Sequence, residues 1–138
     1  MRAKVQRGRI LYLTPDGHKR IIPHERPDKL GRRPFLVVQR DYTNSSSDYT
    51  VVVGVTSANT SNKSKARPIN KTSLDALLPK GIGLVNAESV ADCGLLFTIT
   101  DLEVFNVFDG TYGEDVMKHV DAALRLALDL DPDKVLEP

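Results

Sequence analysis

Short apolar bursts separated by polar stretches run along most of the chain, and only near the C-terminus does the apolar period lengthen to that of a helix. Arg9–Leu13 is apolar at its centre and predicts a first strand. Residues 34–39, Pro34-Phe35-Leu36-Val37-Val38-Gln39, read as a buried strand. Residues 49–56, with Val51, Val52, Val53 and Val55, carry the strongest strand pattern in the chain. A polar turn is expected over residues 44–48 between these two, which predicts an antiparallel pair. Residues 14–30 hold Pro15, Gly17, Pro23 and Pro27 among many charges and predict a long loop, with Asp16-Gly17 suiting a short hairpin. Loops of that length in compact domains are usually functional or disordered.

A basic polar loop is expected over residues 57–66, a short strand over 67–71, and a helical turn over 72–78 with Thr72 or Ser73 as its cap and Pro79 behind it. Residues 81–85 and Ser89–Ile99 supply further β material. Val116, Val120, Ala123, Leu124, Ala127 and Leu128 then recur at helical spacing. The helix start is open between Thr111, with Glu114 three residues on as in a capping box, and Gly113. Pro132 is expected to end this helix, leaving residues 131–138 as a loose tail. Several short strands followed by one long helix predict an α+β, mainly β molecule: a small, strongly curved antiparallel sheet or barrel with helices packed outside.

Composition narrows the class. A chain of 138 residues is one domain's worth, and residues 1–138 are read as a single domain. The one cysteine, Cys93, cannot pair internally, which fits a reducing compartment. No apolar run approaches a membrane span, and the charged residues 1–8 lead into no apolar core of a signal peptide. Cytoplasm, with no membrane association, is the expectation. The net charge of +1 conceals an asymmetry: residues 1–71 sum to +10 and residues 72–138 to −9. A basic half can gather phosphates. Equally, the two halves can interleave in space and cancel, and the sequence leaves both open.

Phosphate-loop and dinucleotide motifs are absent. His18, His24 and His119 lack metal-ligand spacing with one another or with Cys93, so neither a metal nor a cofactor is expected. His119 falls on the polar side of the last helix; His18 and His24 share the long loop, as acid–base candidates or plain surface. One constellation carries chemistry. Gly31-Arg32-Arg33-Pro34 leads into the second strand, and Thr56-Ser57 ends the third. Antiparallel pairing of these strands brings Arg33 near Thr56. A guanidinium and a hydroxyl at one rim can hold a phosphate, with Lys63, Lys65 and Arg67 following nearby. On spacing alone, a corner arginine, a strand-end hydroxyl and a solvated loop are the commoner account of the pattern.

The order of these segments resembles the PemK/MazF family of toxin endoribonucleases over nearly the whole chain. Arg7-Gly8 before the first strand is similar to the family's opening. Gly31-Arg32-Arg33-Pro34-Phe35-Leu36-Val37-Val38 resembles its Gly-x-Arg-Pro-apolar motif, the most specific piece. Val53-Gly54-Val55-Thr56-Ser57 resembles its strand ending in Thr-Ser. Leu96-Phe97-Thr98-Ile99 with Asp101-Leu102, and the terminal helix around Val120-Asp121-Ala122-Ala123-Leu124, complete the series. Arg9 stands where the family has Asp, Gly94-Leu95 where it has an acidic-Gln pair, and Phe97 where a basic residue is frequent.

The resemblance implies an SH3-like barrel of the MazF/CcdB type with a C-terminal helix, a homodimer, a cognate antitoxin, and cleavage of single-stranded RNA at short sequences. It implies Arg33 and Thr56 as the catalytic pair, supported by Ser57 and by Asp28, which falls where many members carry glutamate. RNA brings its own nucleophile in the 2′-hydroxyl, so no metal is needed where donors stabilise the phosphorane charge. The expected products are a 2′,3′-cyclic phosphate and a 5′-hydroxyl. Arg32, Lys63, Lys65 and Arg67 would track the RNA backbone. Tyr42, Tyr49 and Phe97 are either base-stacking groups or core. The identity of the base is left open, with Asp28 as the first candidate and His18 or His24 after it. Two rival functions stand beside this one: a same-fold poison of DNA gyrase acting through the terminal helix, and a non-catalytic RNA-binding or regulatory module, which the departures keep open.

Overall fold

The structure, a computed structural model, describes residues 5–13, 34–57, 74–82, 88–100 and 105–130. Among these residues six strands form one antiparallel sheet: β1 (Arg9–Leu13), β2 (Pro34–Val37), β3 (Thr50–Ser57), β4 (Asp75–Leu78), β5 (Ser89–Ile99) and β6 (Phe105–Thr111). Their order across the sheet is β4-β5-β3-β2-β1-β6. Helix α1 (Asp41–Ser46) joins β2 to β3, and α2 (Glu114–Leu128) follows β6. The sheet curls into a half-barrel, as the strand-rich pattern with one terminal helix leads one to expect.

Both faces of the sheet are apolar, which is why the central strands read as nearly continuous Val, Leu and Phe rather than as an alternation. Ile10, Leu36, Val53, Val55, Ala76 and Ala91 point to one face and are closed over by Met117, Val120 and Ala123 of α2. Leu11, Phe35, Val37, Val52 and Ile99 form a second cluster on the other face, with Val5 and partly buried Phe97. Successive strand residues point to opposite sides, so Val53 and Val55 facing α2 turn Gly54 and Thr56 to the face without it.

The long strand β5 bends around its neighbour. Val53 pairs with Leu96 but the next residue, Gly54, pairs with Asp92, so Cys93, Gly94 and Leu95 bulge out of the ladder. The Cys93 N–H is satisfied by the Leu74 carbonyl at 3.0 Å, just before β4. Bulges bend and twist the strand that carries them. Here the first part of β5 serves both β3 and β4, while the rest pairs only with β3.

Arg7 and Gly8 fasten the entry to β1. The Arg7 guanidinium donates to the Val38 carbonyl and to the Asp121 carboxylate of α2, and its backbone N–H donates to Asp41 Oδ1 at 2.7 Å. Gly8 has φ +92, and a β-carbon there would stand 2.7 Å from the Tyr112 carbonyl oxygen. Only glycine meets both conditions.

Four local expectations are corrected, and one open choice, the cap of α2, is decided. The expected polar turn at residues 44–48 is largely helical: α1 is anchored by buried Asn44, whose Oδ1 accepts from Gln39 Nε2 at 3.0 Å and Thr50 Oγ1 at 2.7 Å. The helical turn expected over residues 72–78 is instead β4 from Asp75 onward, because pairing with β5 outweighs weak local helix preference. Residues 81 and 82 form a turn, not a strand. Of the two candidate caps for α2, Thr111 belongs to β6, and Gly113 occupies the N-cap without a side-chain bond. The same helix stops at Leu128, ahead of Pro132: Asp129 turns left-handed at φ 53, and the Asp129 and Leu130 N–H groups return to the Leu126 and Arg125 carbonyls.

Candidate functional site

Thr56 lies one residue from the end of β3, on the face not covered by α2. Its side chain is partly exposed, yet its hydroxyl oxygen is enclosed and has no hydrogen-bond partner. An enclosed, unpaired hydroxyl costs on the order of 1–3 kcal/mol, so the fold gains nothing from having an oxygen there. Ser57 closes the same strand opposite Ser89; its side chain lies outside the described residues.

The register builds two rows of side chains around Thr56. In one, Thr56 is opposite Val90, and Val90 opposite Leu77. In the other, Phe35 is opposite Gly54, Gly54 opposite Asp92, and Asp92 opposite Asp75. Gly54, with no side chain, separates Phe35 from Asp92. The ring of Phe97, opposite Val52, meets Phe35 edge to face with centroids 5.4 Å apart. Aromatic, hydroxyl and carboxylate groups thus surround one glycine on one face of three adjoining strands.

The carboxylates were not singled out in the sequence. Asp75 is buried and Asp92 half-buried, directly opposite each other across the β4–β5 pair. Burial, then the charges of Asp92, Asp75 and Asp121, push the Cys93 thiol up to about 12. Burial and then neighbouring Tyr12 raise Tyr112 to about 12 as well; its hydroxyl donates to the Pro79 carbonyl at 2.6 Å.

Arg33, Arg32, Asp28, Lys63, Lys65 and Arg67, like His18 and His24, lie outside the described residues. What is described is the strand that Arg33 precedes: β2 begins at Pro34 and runs antiparallel to β3. The other expectations divide. Tyr42 is 72% exposed with the Arg40 guanidinium 5.1 Å from its ring centre, and Tyr49 is exposed too, so neither is core; both sit at the end of the β2–β3 pair away from Thr56. Phe97 does pack into the cluster and stays partly exposed. His119 is exposed on α2. Of the departures, Arg9 donates to Gln6 Oε1 at 2.9 Å, and Gly94-Leu95 form the β5 bulge. Among the described residues, no three His, Cys, Asp or Glu side chains gather as ligands of a metal ion, and no helix is long and apolar enough to cross a membrane.

A family model described as PemK-like, MazF-like toxin of type II toxin–antitoxin systems matches residues 6–128, taking in every strand and α2. The chain belongs to that toxin family. Its Arg-Pro, Thr-Ser and terminal-helix segments are those on which the resemblance was drawn from sequence. Solved structures share the fold at low identity. A mycobacterial endoribonuclease in complex with its cognate antitoxin is 17% identical, with a TM-score of 0.61 over 92% of this chain and 97% of that one. A MazE–MazF crystal structure from Deinococcus radiodurans gives 18% identity and 0.61 over 92% and 97%. The Mycobacterium tuberculosis toxin MazF-mt6 gives 21% and 0.55 over 72% and 88%. No curated protein sequence matches the chain.

Proposed function

We propose that this PemK/MazF-like toxin is an endoribonuclease that cuts single-stranded RNA without a metal, leaving 2′,3′-cyclic phosphate and 5′-hydroxyl ends. The observation that carries the reading is the β2–β3 register. Phe35 is paired with Gly54, so the strand that Arg33 precedes runs antiparallel to the strand that Thr56 nearly ends, which supports reading the two residues as one site. Arg33 supplies two parallel N–H donors to the scissile phosphate and offsets the charge that builds on it; Thr56 supplies a third donor. Ser57 and Asp28 support this pair, and Arg32, Lys63, Lys65 and Arg67 follow the RNA backbone. The unpaired state of the Thr56 hydroxyl favours the assignment, since a rotation about χ1 would exchange an unsatisfied oxygen for a phosphate contact.

The reaction needs no added nucleophile because the ribose 2′-hydroxyl lies next to the phosphorus. The family and the fold support the remaining parts of the reading: residues 1–138 as one cytoplasmic domain, a homodimer, and restraint by a cognate antitoxin. Solved proteins of this fold include toxin–antitoxin complexes.

The test is incubation of the purified chain with single-stranded RNA in excess EDTA, beside Arg33→Ala. Cleavage by the parent that Arg33→Ala loses by about a hundredfold or more is the expected outcome. Intact RNA with inhibited DNA gyrase would replace the reading with a gyrase poison. Binding without cleavage would replace it with a regulatory RNA-binding module.

A further inference from the structure

Asp92 is the last residue of β5 to pair with β3 before the bulge, and the bulge aims it. The Gly94 N–H donates to Asp92 Oδ1 at 3.1 Å, which fixes the carboxylate plane. Among the described residues Oδ2 accepts no hydrogen bond, and the residue is partly exposed. Asp92 faces the same side as Thr56 and is its diagonal neighbour across the β3–β5 pair. Diagonal neighbours in such a ladder stand about 7–8 Å apart, a gap that one phosphate and its ribose fill. Between them lies Gly54, which puts no side chain in the way. Across the ladder stands Asp75. Bulges recur beside active sites because they re-aim one side chain.

We propose that Asp92 is the general base of the cleavage reaction, a role that rests on the ribonuclease reading above. Asp92 Oδ2 takes the proton of the 2′-hydroxyl as the 2′-oxygen bonds to phosphorus. The P–O5′ bond breaks, its electron pair stays on the 5′-oxygen, and that oxygen takes a proton from water. Asp92 then returns its proton to solvent. Thr56 and Asp92 thus approach the phosphate from two rows of the same face, one as donor and one as acceptor.

Asp92→Asn separates this role from a structural one, because the amide oxygen can still accept from Gly94 and hold the bulge. With single-stranded RNA in EDTA, kcat is expected to fall about a hundredfold or more while KM stays within about threefold. Asp92→Glu should regain part of the loss. Asp92→Ala should gain activity when formate is added in place of the missing carboxylate, and this measurement decides the matter should Asp92→Asn fail to fold. Parent activity with Asp92→Asn within about twofold in kcat, or Asp92→Ala indifferent to formate, would overturn the proposal and leave the ribonuclease reading intact. A parent chain that cleaves no RNA would overturn both.

Discussion

Thr56 shows in one residue how the fold and the proposed chemistry pull apart. Its enclosed, unpaired hydroxyl costs stability, whereas valine has the same shape and no oxygen to satisfy. Thr56→Val is therefore expected to raise stability by about 1 kcal/mol in urea denaturation while lowering RNA cleavage about a hundredfold or more. A variant less stable than the parent would show that the hydroxyl serves the fold. Gly8 is the opposite case, a residue fixed by geometry alone. With φ +92 and the Tyr112 carbonyl 2.7 Å from a would-be β-carbon, Gly8→Ala should destabilise by about 2 kcal/mol or more, read as a lower denaturation midpoint. At this scale the sequence was partly legible. Thr56 stood out as a hydroxyl near the end of an apolar strand, and Arg7-Gly8 through the resemblance of its segment to the family's opening. Asp92 and Asp75 did not, because what makes them notable is a cross-strand register and a bulge, and neither has a sequence period.

Strands with a strong β-branched or aromatic run were read correctly: β1, the β2–β3 pair and β5 lie where the Val, Leu and Phe pattern puts them. The misread elements are those whose stability comes from elsewhere in the molecule. Residues 72–78, with Leu74, Ala76, Leu77 and Leu78, have helix-forming side chains, and only the neighbouring β5 edge makes Asp75–Leu78 a strand. Strand β6 went unnoticed and is defined by its pairing with β1. Helix α1 is a run of polar residues with little helical preference of its own, held by the Asn44 bonds to Gln39 and Thr50. Asn44→Ala would leave those partners unmatched in a buried place, so a loss of about 1–3 kcal/mol is expected by chemical denaturation. A change below a few tenths would mean that α1 stands without the network.

At the scale of the whole molecule, the two sequence halves share one sheet. The basic half contributes β1, β2 and β3 to the middle of the sheet, and the acidic half flanks them, with β5 and β4 on one side and β6 on the other. Between sheet and helix the molecule also stores an alkaline sensitivity. Cys93 and Tyr112 are held up to about 12, from 9.0 and 10.0, chiefly by burial. The folded state keeps protons that the unfolded chain releases, so stability is full below about pH 9 and declines as the pH rises toward about 12. Urea midpoints taken at steps across that window should fall steadily, and a flat profile would contradict the burial.

Beyond this scaffold, the proposed cleavage rests on the RNA supplying the attacking oxygen to a phosphate held by Arg33 and Thr56. The direct measurement is end-group mass spectrometry of a cleaved strand in EDTA, repeated with the one ribose before the cut replaced by 2′-deoxyribose. A 2′,3′-cyclic phosphate and a 5′-hydroxyl are expected from the first strand, and no cut at that linkage in the second. A 5′-phosphate product, or a deoxyribose linkage cut as fast as the parent, would contradict it.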